Sequence, residues 1–149
     1  MKKILNAILF LLSFIWQLPQ SLIGLVMLAY FKVVGKVRLI SYKKLCFCFD
    51  AEAMNGGISL GNFAFVSPRL AKKSADVAHE QEGHTWDSKL FGPLYLFVIG
   101  LPSLVHASMN NYECYFDFYT ERWANKHADV EVLRTADGRC FLSKKNIGK

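Results

Sequence analysis

Charge is scarce in this chain, and negative charge is scarcer still. Only 20% of its 149 residues are Asp, Glu, Lys or Arg, and 12 acidic residues stand against 18 basic ones, a net charge of +6. The basic residues match no nucleic-acid-binding pattern. They are spread along the chain and flank apolar runs, where they suit anionic lipid headgroups. Nucleic acid is therefore not an expected partner. Cysteine is sparse as well: Cys46, Cys48, Cys114 and Cys140. Cys46 and Cys48 would share one face of a strand, but no second pair completes a zinc site. All four read as ordinary buried or half-buried thiols, and nothing among them demands an oxidising compartment. A secretory signal is lacking too, since no small-residue cleavage site follows Phe14 or Leu18 and apolar sequence resumes at Leu22.

What the chain has in abundance is apolar surface, with 52% hydrophobic residues. Ile4 to Phe31 is almost wholly apolar and longer than the ~20 residues that cross a bilayer. Pro19 is expected to kink it or to split it at Leu18–Ser21. Residues 1–31 are thus expected to form a transmembrane or re-entrant helix. A second apolar run, Leu94 to Ala107, contains Gly100 and Pro102 and reads as a kinked span or a re-entrant segment packed on the first. Lys2 and Lys3 precede the first run, and Lys32, Lys36, Arg38, Lys43 and Lys44 follow it. The positive-inside rule puts the richer flank in the cytoplasm, and a re-entrant hairpin would put both there.

Between the two runs, residues 33–67 approach period two and read as a small antiparallel β-meander. Asn55-Gly56-Gly57 is its turn, and Ile58 to Val66 is a single strand. Residues 74–128 read as a helical site region, comprising a motif helix from Ser74, the second apolar run and an amphipathic helix from Glu113 to Ala128. Residues 129–149 read as a tail with a frayed end. The expected fold is one membrane-associated domain, mainly α, with the lipid bilayer as partner.

The chemistry centres on His79-Glu80-Gln81-Glu82-Gly83-His84, a zinc-protease HExxH with one residue too many. Four-residue spacing puts two histidines on one helical face. The five-residue spacing here separates them by roughly 140° on an ideal helix. A single-residue π-bulge would restore the shared face, and Gly83 is the residue that would accommodate it. Zinc of the protease type takes three protein ligands. His79 and His84 are two, and Glu121 is the expected third, with Asp117 one turn earlier as the other choice. Asn125 would orient a ligand histidine. Glu80 is the expected general base for hydrolysis of a peptide bond in a peptide or protein substrate. If the bulge assigns the ligands differently, Glu80 and His84 form the ligand pair. His106 reads as structural and His127 as solvent-facing.

Five stretches carry a resemblance: Trp16 to Gln20, Gly57 to Gly61, His79 to Ser88, Gly92 to Leu96, and Glu121 to Asn125. In that order they resemble a group of small, uncharacterised bacterial membrane proteins with HExGH, a GPLYL-type run and an EKWAD-like helix. That resemblance implies a zinc-metallopeptidase-like site of the gluzincin kind, in which a glutamate is the third ligand. It also implies residence in a bacterial inner membrane. Two departures stand out: the extra residue in the motif, and Asn125 where the group has aspartate. They leave a second expectation open, a non-catalytic membrane scaffold that keeps the fold.

Overall fold

The computed structural model describes residues 2–109 and 114–145. It is mostly helical with a small sheet, as the apolar runs and the period-two segment predict. Helices α1 (Lys2–Trp16) and α2 (Leu18–Val34) meet at Gln17 and are bent by 104°. Pro19 sits in the first turn of α2, where a missing N–H costs nothing, so the break falls just before Leu18. Gln17 is fully buried at the corner, its amide Nε2 donating to Ser13 O (3.0 Å) and Ser13 Oγ (2.7 Å).

A four-stranded sheet follows: β1 (Val37–Lys43), β2 (Cys46–Ala51), β3 (Gly57–Leu60) and β4 (Phe63–Val66), in the order β1-β2-β4-β3. It is not the simple meander expected. Two antiparallel hairpins, β1-β2 and β3-β4, join through a parallel β2-β4 pair. The expected single strand over Ile58 to Val66 is itself a hairpin, because Gly61 turns at φ +63 and Asn62 fills the second turn position. β3 is left as an edge strand. Phe31, Ala51, Phe63 and Phe65 form a core between α2 and the sheet.

After a short helix α3 (Pro68–Ala71), one continuous helical rod runs from Ser74 to Phe91. It comprises α4 (Ser74–Ala78), a π-helical turn (His79–His84) and α5 (Thr85–Phe91). Gly92, at φ +51, ends it; a Cβ there would lie 2.5 Å from the Trp16 ring. The chain turns through Gly92–Leu94 and Leu96–Gly100 into α6 (Leu101–Met109), bent by 119° from the rod. The two corners are clasped together. Gln20 Nε2 donates to Gly92 O (2.7 Å) and Ser88 Oγ (3.1 Å), and Trp16 Nε1 donates to Lys89 O (2.8 Å). Among the described residues no single helix is long and apolar enough to cross a membrane; the two bent pairs meet that test only jointly.

The C-terminal part departs from expectation. The long amphipathic helix is shorter: a 3-10 turn (Tyr115–Asp117), then α7 (Tyr119–His127). Glu113 lies outside the described residues. The supposed tail contains a hairpin, β5 (Val130–Arg134) and β6 (Cys140–Lys144), whose Val130 and Leu142 pack with Ala75, Ala78 and Ala128 against the start of the rod. Cys114 and Cys140 form a disulfide, so these two are not the free thiols expected. Cys46 and Cys48 are free and buried, and burial pushes both thiols up to about 12.

Candidate metal centre

The odd spacing of the motif is resolved by its backbone. Over His79–His84 the rod is π-helical. Bonding of i to i+5 brings residues five apart into line, where an α-helix would splay them. The two imidazoles pack edge to face with centroids 4.8 Å apart, and both are buried. Gly83 serves the site in another way than expected. A Cβ there would lie 2.8 and 2.9 Å from the carbonyl carbon and Cα of Ala124, and closer still to its oxygen. The missing side chain lets α7 lie directly on the π turn, with Glu121 facing both histidines.

Glu121 Oε2 lies 3.0 Å from His79 Nε2 and 3.4 Å from His84 Nε2. The other oxygen, Oε1, accepts from Ser103 Oγ (2.6 Å) and Thr120 Oγ1 (3.0 Å), which fixes the carboxylate with one oxygen turned inward. His79 Nδ1 is 2.8 Å from Asn125 Oδ1 and donates to it, which turns Nε2 toward Glu121. Burial works to raise the Glu121 carboxyl, yet hydrogen bonds and charge from His79 and His84 outweigh it and hold it well below the usual carboxylate range. For His84, burial works to lower the imidazole. Asp87 and Glu121, with Glu80 beyond them, outweigh burial and hold it well above its ordinary value.

This donor set could hold a metal ion. Tetrahedral zinc with bonds of about 2.0–2.1 Å holds its ligand atoms roughly 3.3–3.4 Å apart. The two measured separations from Glu121 Oε2, 3.0 and 3.4 Å, bracket that value closely. One atom from each of the three residues falls within 4.8 Å of the others, and all three residues are buried. Two buried imidazole nitrogens converging on one carboxylate oxygen could hold a shared metal ion.

Glu80 is not among the three. Its carboxylate turns toward β3, where Ser59 Oγ lies 2.9 Å from Oε2 and 2.7 Å from the Glu80 carbonyl oxygen. A Cβ on Gly57 would lie 2.6 Å from Glu80 Cδ, so a bare backbone at 57 makes room for it. Glu80 and His84 both line one cavity of about 380 Å³, closed on one side by β3 and on another by α2 and α6. The alternative Glu80–His84 ligand pair is therefore not formed, while His79, His84 and Glu121 do come together.

The remaining candidates lie elsewhere. Asp117 pairs with Arg134 at 2.5 Å in an exposed position, away from the histidines. His106 is structural: its Nε2 is 3.2 Å from Tyr115 O and its ring stacks on Phe118 at 4.2 Å. His127 is not turned to solvent as expected, because its Nδ1 meets Asp87 Oδ1 at 3.0 Å. Asp87 is the residue that sequence reasoning missed. It is fully buried, with Oδ2 3.5 Å from His84 Nδ1, and supplies beside His84 the negative charge that Asn125 does not supply beside His79. Its position three after His84 on one helix was the available signal. Ser59, Ser103 and Gly57 carried no such signal, since only tertiary packing brings them to the centre. Family models, curated proteins and solved structures yield no match to this chain.

Proposed function

We propose that the protein is a membrane-anchored zinc metallopeptidase that hydrolyses a peptide bond at the His79–His84–Glu121 centre. The observation that carries the reading is the π-helical turn, which aligns two histidines of a six-residue motif on one buried glutamate. An irregular helical turn of this kind has little structural use and often marks a functional site. His79, His84 and Glu121 hold the ion, Asn125 and Asp87 orient the rings, and Ser103 and Thr120 hold the glutamate. Zinc at this point supplies a Lewis acid for the substrate carbonyl and a water acidic near neutral pH. Glu80, which lines the cavity beside His84, would act as the general base that accepts a proton during attack and returns it to the leaving amine. Ser59 keeps its carboxylate facing the cavity. The edge strand β3 offers main-chain groups along which an extended peptide can align.

Membrane anchoring rests on surface chemistry. Val33 is 86% exposed, Phe97 72% and Val26 68%, within a long series of exposed apolar side chains on α1, α2, the Leu96–Gly100 turn and α6. Apolar surface of that extent on a lone soluble domain would drive association. Two bent helix pairs of this composition suit entry into a bilayer, with Lys2, Lys3, Lys32 and Lys36 at its polar margin. A bacterial inner membrane is the location that the sequence resemblance implies.

The test is metal content and peptide cleavage of the detergent-purified protein. The wild type should carry one zinc per chain, His84→Ala should lose it, and Glu80→Gln should keep zinc while losing cleavage. A wild type without stoichiometric zinc overturns the site. Zinc with no cleavage of any peptide overturns the hydrolase and leaves a metal-holding scaffold.

A further inference from the structure

The cavity that reaches Glu80 and His84 has an unusual wall. Beyond those two residues its lining comes from β3, from α2 and α6 (mostly apolar, with Ser103) and from Tyr95, Leu96, Gly100 and Tyr115, and among its lining residues there is no Lys, Arg or Asp. Away from Glu80 and His84, a charged substrate side chain would lose its water there and find no counter-ion. The rim points the same way. Ile23, Leu101 and Leu104 line the cavity and are at the same time 44%, 54% and 63% exposed. Their neighbours Leu22, Val26, Phe97 and Val105, outside the cavity, are exposed too. The opening is therefore framed by the apolar surface that the proposed function places in lipid.

We infer that the cavity is the entry subsite for an apolar peptide segment that is itself dissolved in the membrane and reaches the centre sideways, between Ile23 of α2 and Leu101 and Leu104 of α6. This rests on the membrane-anchored reading above and names its substrate class. A peptide is favoured over a lipid chain because one wall of the cavity is the edge strand β3, with Gly57, Ile58, Ser59 and Leu60 all lining it. Main-chain pairing along such an edge recognises an extended peptide and gives nothing to a hydrocarbon chain. The β3 backbone is held for this purpose: Tyr95, itself buried, donates its hydroxyl to Ser59 O at 3.1 Å. Gly100 keeps the far wall low. The nearest atoms to a Cβ there belong to Leu96 and Tyr95, at 3.6 Å or more, which is ordinary contact, and a side chain at this lining position would narrow the space.

The experiment uses the zinc-loaded Glu80→Gln protein in phospholipid nanodiscs, with binding read from fluorescently labelled ten-residue peptides against empty nanodiscs. A Leu/Val-rich peptide should bind at least tenfold more tightly than a Ser/Glu-rich one. Leu104→Lys, which puts a charge at the rim, and Gly100→Leu, which fills the cavity, should each weaken the apolar peptide tenfold or more with zinc content unchanged. Equal binding of the two peptides, or two variants that bind like the parent, overturns the inference. Palmitate that displaces the label while the peptide shows no advantage over it assigns the cavity to acyl chains and overturns it also. A wild type that cleaves nothing, beside a Glu80→Gln protein that binds as described, removes the peptidase and leaves this subsite standing.

Discussion

Gly83→Ala distinguishes two explanations of one glycine. If Gly83 only eased the π turn, alanine would be tolerated well, because Ala is about 0.8–1 kcal/mol better than Gly within a helix. The packing says otherwise. The new methyl would lie within 2.9 Å of the Ala124 backbone, where carbon atoms pack at about 3.5–4.0 Å, so α7 must withdraw by roughly 0.7–1 Å. Glu121 stands on that helix one turn before Ala124 and withdraws with it, which stretches its 3.4 Å approach to His84 beyond what one ion can bridge. Overpacking of this kind costs about 1–3 kcal/mol of stability, and a displaced ligand set costs at least the 10–100-fold in metal affinity typical of lost supporting contacts. Zinc affinity by chelator competition, with melting temperature measured alongside, is the assay. A Gly83→Ala protein that binds zinc within twofold of wild type, or melts higher, refutes the close-packing argument.

Four further outcomes follow from the same geometry. Asn125→Asp should tighten zinc by about tenfold and Asn125→Ala should weaken it 10–100-fold, since the acceptor of His79 Nδ1 becomes charged in one and is lost in the other; unchanged affinity in both would contradict the contact. In metal-free protein the raised His84 stabilises fully below its ordinary value of about 6.5 and loses that contribution as pH rises through its folded value. The depressed Glu121 stabilises above its ordinary value and loses that as pH falls through its folded one. Chelated protein should therefore weaken from pH 6.5 upward, whereas zinc-loaded protein should gain, because metal replaces the proton; parallel melting curves would count against a shared site. Cys46 and Cys48, with thiols pushed up to about 12 by burial, should resist maleimide at pH 7.5 until the protein is unfolded. Thiol titration of unfolded protein should find two free thiols before reduction and four after, and four at the outset would exclude the Cys114–Cys140 pairing.

Much of the centre was legible in the sequence because its residues carry their chemistry in type and spacing. His79, His84 and Glu121 could be named as ligands, and a π-helical turn could be inferred from a five-residue interval alone, since helical geometry leaves few ways to align such a pair. Asn125 followed from its place one turn past Glu121. The role of Gly83 was not legible, because it depends on where α7 lies, and that is set by long-range packing. The same holds for the sheet. Alternation marks strands, but the parallel β2-β4 pair depends on how the chain crosses between hairpins. Gly61-Asn62 was a readable turn that the surrounding apolar residues obscured. The β5-β6 hairpin was overlooked for a different reason: its burial is one-sided and shallow, and the alternation that runs Val130-Glu131-Val132 is broken at Leu133 and Arg134.

The central claim is that three particular side chains share one ion. X-ray absorption at the zinc edge of the purified, zinc-loaded protein addresses this directly. The account predicts a first shell of nitrogen and oxygen at about 2.0–2.1 Å with two imidazole scattering patterns, a shell that His84→Ala loses with its zinc. A shell containing sulfur, or a two-imidazole shell that stays unchanged in His79→Ala or in His84→Ala, would place the metal elsewhere and contradict it.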